Sequence, residues 1–334
     1  MTPKELSIKQ ISELSGVSTA TVSRVINHNG RFSKETEERV LSVIEQYQYV
    51  PNMVARGLRR NASQIVGIIV PDITNEFFAR IVLRLQINLF EKNFSAVICN
   101  TNENEQLEVS HLQFLRAQNV SGLVFISGNP SHTQPNPNYP TVFIDRRPKD
   151  VMAKDTIIIE SDNVRGGYLA GKALAEGGAR RIATIMDSRM HTAGETRYQG
   201  WKKAMEEAGI PILPELQLKV PLVGFNAAYE SVSHLLKSRQ SFDGLFCGTD
   251  WLAMGALATL HEHGVHVPSD VSVIGFDDVS IATFSSKPIT TIRQDAERMG
   301  DLAVELLLRR MEGEKIDRPH RVLGVELVRR STTG

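Results

Sequence analysis

Two hydrophobic periods divide the chain. Over the first fifty residues, apolar side chains recur at the three- and four-residue spacing that gives a helix one buried face. Ile8, Ile11 and Leu14 mark a short helix with Ser7 as its cap, and Gly16 permits the tight turn that ends it. Val17 fills the gap before Ser18 caps a second helix, Thr19 to Asn27, on which Val22, Val25 and Ile26 face inward. A third helix starts at cap Ser33, with Glu37 in its first turn and Val40, Leu41 and Ile44 inside. The pattern predicts helix, turn, helix and a third helix that completes a small core.

From Ile65 onward, short apolar runs alternate with amphipathic stretches. IVGIIV, SAVICN, GLVFIS and TVFID read as buried parallel strands, with helical segments near Phe78 to Lys92 and Leu107 to Gln118. The pattern then restarts with RIATIMD, GLFCG and VSVIGF, and with helices after Thr196, Asn226 and Trp251. The expected fold class is therefore α/β, with two similar lobes, each a parallel sheet covered by helices, behind a helical head. Ligands in such sheets sit outside the carboxyl ends of the strands. At those ends stand PDITNEFF, Asp145 with Arg146, a loop leading to Arg197, and Asp277 with Asp278. Guanidinium and carboxylate groups pair with vicinal hydroxyls, and an aromatic face packs on the apolar face of a sugar ring, so the set suits a polyol.

At 334 residues the chain is long enough for two or three compact units. No run of about 18 apolar residues offers a membrane span, and MTPKELSIKQ lacks the basic start and apolar core of a secretory signal, so a cytoplasmic location is expected. Cys99 and Cys247 each lie in an apolar run and read as buried small hydrophobes rather than a disulfide or a metal site. The formal net charge is zero, but residues 1–60 hold nine Lys and Arg against six Asp and Glu, while the remainder holds 29 against 32. That asymmetry has the sign of a nucleic-acid-binding head on a near-neutral body.

Two tempting motifs carry no catalytic chemistry. GGYLAGKA at 166–173 approximates a phosphate-binding loop, but Ala173 stands where a Ser or Thr would hold magnesium, and the segment reads as helix throughout. His261, His263 and His266 span a helix end, a turn glycine and a proline, which keeps them from converging on one ion. Neither a cofactor, a metal nor an enzymatic activity is expected.

The turn spacing in ISELSGVSTATVSRVIN and the following YVPNMVARGLRR resemble the LacI/GalR family of bacterial transcription regulators, and the resemblance runs in register through almost the whole chain. It implies a head at 1–48, a hinge helix and linker at 49–62 and an effector-binding and dimerisation domain at 63–334. The first lobe would span about 63–161 and 295–322, the second about 162–294 and 323–334. On the recognition helix it implies Thr19 and Ala20 at base edges, Arg24 on a guanine or phosphate, and Ser18, Thr21, Ser23 and Asn27 as further contacts. In the hinge, Asn52, Val54 and Ala55 would accompany Leu58, the wedge that enters the minor groove of a pseudo-palindromic operator. In the cleft it implies Asp72, Asn75, Phe77, Phe78, Asp145, Arg146, Arg197, Asp277 and Gln294, a set also similar to ribose-binding periplasmic proteins. Asp250 and Trp251 are added to it, although Thr249 stands where ribose-type pockets commonly have asparagine.

Bland alternatives stand beside several of these. Asp72 and Asp145 would serve equally as strand ends or helix caps, Asp162 and Asn163 as caps of the helix starting at Val164, Asp250 as a cap for Trp251, and Phe77 as core. A homodimer is expected, with Ile81, Leu85 and Leu89 at its interface and no heptad tail for a tetramer. The effector expected is a pentose or compact hexose derivative. The rivals are a purine or nucleoside corepressor, marked by stacking on Phe78 or Trp251, a sugar-binding transport protein and a sugar-modifying enzyme.

Overall fold

The computed structural model describes residues 6–26, 29–49, 63–126, 139–146, 155–189 and 192–334. The chain divides into two compact units, Met1–Ser63 and Gln64–Gly334.

In the first unit, α1 (Ile8–Ser15) begins at Ser7, whose hydroxyl accepts the Gln10 N–H while the Gln10 side chain accepts the Ser7 N–H. It ends at Gly16, with φ 67°. A Cβ there would face the strain of the left-handed region, which is why a glycine closes this turn. Next come α2 (Thr19–Ile26) and α3 (Lys34–Gln46), the latter capped by Ser33, which accepts from the Thr36 N–H. Ile11, Val22, Val25, Val40 and Val43 form the core. Two expected core residues fall outside it: Leu14 is 48% exposed and Leu41 42% exposed. Three-residue steps advance only about 300° around a helix, so Leu14 drifts off the face set by Ile8 and Ile11, and Val43 takes the place assigned to Leu41.

The second unit holds two six-stranded sheets. The first has the order β11-β5-β4-β3-β1-β2, from β1 (Ile65–Val70), β2 (Ser95–Asn100), β3 (Gly122–Ile126), β4 (Thr141–Ile144), β5 (Ile157–Ser161) and β11 (His320–Leu323). The second has the order β12-β10-β9-β8-β6-β7, from β6 (Ile182–Asp187), β7 (Gln217–Val220), β8 (Gly244–Cys247), β9 (Ser272–Asp277), β10 (Thr290–Arg293) and β12 (Glu326–Val328). Position for position the orders match, so β4 and β9 occupy equivalent places. Every pairing is parallel except β10 with β12. The α/β expectation holds. Strands β5, β7, β10, β11 and β12 went unread in the sequence, being short or set at edges and crossovers.

The chain passes between the sheets three times: after β5, after β10, and between β11 and β12. The helices of the unit are α4 (Glu76–Glu91), α5 (Glu105–Ala117), α6 (Asn163–Glu176), α7 (Thr192–Ala208), α8 (Phe225–Lys237), α9 (Asp250–Glu262), α10 (Ser280–Phe284) and α11 (Ala296–Met311). Ile81, Leu85 and Leu89 of α4 are fully buried against α11 residues such as Met299 and Leu306. They build the first lobe's core rather than a surface for a partner. The outer stripe of α4 is instead Leu83, Ile87 and Phe90, the last 79% exposed. The glycine-rich segment 166–173 is helical, as expected, and serves packing. A Cβ on Gly167 would lie 1.8 Å from the Arg197 carbonyl oxygen, and one on Gly200 would lie 1.9 Å from that of Val164. Helices α6 and α7 therefore touch backbone to backbone.

Candidate functional site

Helix α2 presents Thr19, Ala20 and Arg24 to solvent, with Thr21 and Ser23 half-buried beside them. The Ser18 hydroxyl accepts the Thr21 N–H at 3.1 Å and fixes the start of the helix. Asn27 and the hinge residues Asn52, Val54, Ala55 and Leu58 lie outside the described residues.

In the second unit, a cavity of about 450 Å³ opens between the carboxyl ends of the two sheets. That size is within the range of small-molecule pockets, about 300–1,000 Å³. Of the residues anticipated, Asp72, Asn75, Phe77, Phe78, Asp145, Arg146, Arg197 and Asp277 line it. Several also shape the loops that hold them. Asp72 accepts the N–H and the hydroxyl of Thr74, and Asn75 caps α4 by accepting the Phe77 N–H. The rings of Phe77 and Phe78 meet at 5.6 Å with a 55° tilt.

Arg197 is the centre of this wall. Its Nε donates to Asn163 Oδ1 at 2.8 Å and its Nη1 to the Gly248 carbonyl at 2.8 Å, while the guanidinium lies 3.7 Å over the Phe276 ring. Asp277 Oδ1 stands 3.7 Å from Nη1, and Asp145 Oδ1 stands 3.9 Å from Nη2. The two carboxylates stand at the carboxyl ends of equivalent strands, Asp145 just after β4 and Asp277 as the last residue of β9, and both residues have positive φ, 67° for Asp145 and 111° for Asp277. Such backbone costs on the order of 1–3 kcal/mol per residue and persists only where its surroundings enforce it. Burial holds Asp277 up at about 7, opposed by Arg197 and reinforced by Asp145. Burial lowers the Arg197 pKa, against the pull of the same two carboxylates.

Three anticipated residues are not on the cavity wall. Asp250 is fully buried, accepting from the Val279 N–H at 3.0 Å and the Thr291 hydroxyl at 2.5 Å, and burial pushes its pKa well up. It ties α9 to the loop after β9 and to β10. Thr249, rather than Asp250, caps α9. Trp251, one position on, is 37% exposed and takes no part in the cavity lining. Gln294 stands one layer behind, its Nε2 donating to Asp277 Oδ1 at 2.7 Å.

The cavity also gains residues unread in the sequence, among them Glu103, Asp187, Arg189, Leu222 and Val223. All stand at or just after the ends of β2, β6 and β7, so the strand-end rule applied to β2 and β6 would have found Glu103, Asp187 and Arg189, whereas Leu222 and Val223 follow the unread β7. Among the described residues no group of three or more His, Cys, Asp or Glu is placed to hold a metal ion, and no helix is long and apolar enough to cross a membrane.

Comparison with known proteins fits both units. Residues 7–52 match the model of bacterial regulatory proteins of the lacI family, and residues 172–333 match a periplasmic binding protein-like domain. The HTH-type transcriptional repressor PurR of Haemophilus influenzae (strain PittEE) is 36% identical over 311 residues, spanning 91% of this chain and 90% of that protein. Among solved structures, a complex of the transcriptional regulator CelR with cellobiose is 29% identical with a TM-score of 0.74, covering 98% of this chain and 99% of that one. The lac repressor dimer bound to operator and the anti-inducer ONPF shares the fold, at 24% identity and a TM-score of 0.88 over 98% of this chain and 99% of that one. The chain belongs to the lacI family of bacterial regulatory proteins and is a transcription regulator with a helix-turn-helix head, not an enzyme.

Proposed function

We propose that the protein is a cytoplasmic repressor that grips a pseudo-palindromic operator as a homodimer and is controlled by a neutral monosaccharide, a pentose or a compact hexose derivative, bound in the cleft. The observation that carries the ligand class is the bracket of Asp145 and Asp277 around Arg197. Two carboxylates from opposite lobes accept from ring hydroxyls while the guanidinium donates between them, and Phe77 and Phe78 offer an apolar platform. Five carboxylates and three guanidiniums line the cavity, an excess of negative charge that disfavours anionic ligands.

A purine corepressor is the second reading, favoured by the similarity to PurR. A flat base sandwiched between aromatic rings would need one on each lobe. Phe78 lines the cavity and so meets that reading's mark of one stacking ring, but among the described lining residues the second lobe offers Leu222 and Val223 rather than a facing ring, and Trp251 is not on the wall. In the head, Thr19, Ala20 and Arg24 read the major groove and Ser18, Thr21 and Ser23 support them, with the hinge wedge assigned to Leu58. The dimer forms through the outer stripe of α4, Leu83, Ile87 and Phe90, with Ile98 of edge strand β2 also exposed.

Thermal unfolding against a panel of pentoses, hexoses, purine bases and nucleosides tests the ligand. A compound at 100 times its dissociation constant stabilises by about 2.7 kcal/mol. Stabilisation by a neutral sugar is expected, and stabilisation by purines alone would reverse the assignment.

A further inference from the structure

Glu103 sits between two guanidiniums that belong to different lobes. Its Oε1 is 3.1 Å from Arg146 Nη1, which donates to it, and its Oε2 is 3.1 Å from Arg189 Nη1. All three line the cavity, and all are largely shielded, with side-chain exposures of 23% for Glu103, 13% for Arg146 and 27% for Arg189. The position is built. The Thr101 N–H donates to the Val70 carbonyl, the Asn104 N–H returns to the Thr101 carbonyl, and the Asn104 side chain caps α5. Between those anchors, Asn102 and Glu103 both adopt positive φ, 49° and 57°, which aims the turn into the cleft.

Two arginines converging on one point are the arrangement by which proteins hold phosphate or carboxylate groups. Here the chain supplies the anion itself. We propose that Glu103 is a specificity-determining residue: an internal counter-anion that occupies the place where the phosphate or carboxylate of an acidic sugar would bridge Arg146 and Arg189, so that the pocket admits neutral ligands and rejects anionic ones. The proposal rests on the sugar reading for the identity of the ligand and on the arginine pair alone for the exclusion. Arg189 keeps a second partner, Asp187, which its Nε and Nη2 meet at 2.9 and 2.5 Å. Arg146 keeps Asp145, 4.0 Å from its Nε and shared with Arg197, so removing the Glu103 charge leaves an oriented pair that has lost the one anion standing between its members.

The test uses the full-length protein and inorganic phosphate as the probe, with a neutral sugar and its phosphate ester as a second arm. Calorimetry of the wild type should detect no phosphate binding at millimolar concentration. Glu103→Gln, which preserves size and hydrogen-bonding reach, should bind phosphate at least tenfold more tightly than the wild type. Glu103→Gln combined with Arg189→Gln should lose that gain, and Glu230→Gln, which makes the same change of net charge at an exposed residue off the cavity wall, should show none, which separates a local anion site from a general change of charge. Thermal unfolding of each variant confirms that it is folded. If the wild type binds phosphate or the phosphorylated sugar as well as the neutral one, or if Glu103→Gln gains nothing, the proposal is overturned. Failure of every neutral sugar to bind would instead overturn the ligand class, with the phosphate arm still deciding the role of Glu103.

Discussion

Asp277 keeps its proton to a higher pH in the folded protein than in the unfolded chain, because burial outweighs the attraction of Arg197. Its folded value is about 7 against an ordinary 3.8, so between those limits the unfolded chain releases a proton that the native state retains. Stability contributed by this group is therefore greatest below the lower limit, falls as pH rises towards 7 and levels off above it. Asp277→Asn has no proton to retain. Urea unfolding at pH 5 and pH 8 should show a flatter pH response for the variant and greater stability than the wild type at pH 8, by an amount on the order of a few kcal/mol. The same variant should bind sugar more weakly at pH 8, where it has lost a charged acceptor oxygen, which is the usual exchange of stability for function at a binding site. An equal pH response in both proteins would show that Asp277 ionises normally. Asp145, Arg197 and Asp277 were legible as site candidates because charged side chains sat just after apolar runs. Asp250, a carboxylate, and Gln294, a neutral amide, are polar residues just after strand ends as well, yet they support the layer behind, and only packing separates the two roles.

Elements, in turn, hold those side chains by close backbone approach. Arg197 reaches Asn163 and the Gly248 carbonyl because α6 and α7 meet at Gly167 and Gly200. Gly167→Ala would drive a methyl group into the Arg197 carbonyl, and overpacking of this kind costs about 1–3 kcal/mol, or more where backbone must move. The expected result is a lower unfolding midpoint together with weakened ligand binding, since the segment displaced carries Arg197. An unchanged midpoint would mean that the helices separate freely. Element boundaries were readable where a side-chain oxygen precedes an apolar run, as at Ser7, Ser33 and Asp162. Short strands were not: β11 alternates between exposed and half-buried positions, β12 is only three residues long, and neither contains a buried residue. Glu103 was within reach of the strand-end rule after β2, but its aim into the cleft depends on two consecutive left-handed residues without a glycine to announce them. The helix α4 was read with its apolar residues correct and their destination wrong, since Ile81, Leu85 and Leu89 face the core while Leu83, Ile87 and Phe90 face out.

At the scale of the whole molecule, the homodimer proposed on that outer stripe would bring two heads to two half-sites. Phe90→Glu should yield a monomer in analytical ultracentrifugation and weaken operator binding, because a single head contacts one half-site only. A dimer that persists with unchanged operator affinity would place the interface elsewhere. Coupling between cleft and operator requires that the sugar bind the DNA-competent and DNA-released arrangements with different affinity. By linkage, operator must then change sugar affinity by the same factor, typically about 5- to 150-fold. The most direct measurement is operator affinity, by fluorescence anisotropy, with and without saturating amounts of a neutral sugar whose binding calorimetry has established. A change within that range is the predicted result, and identical operator affinity with the cleft filled or empty would contradict the account.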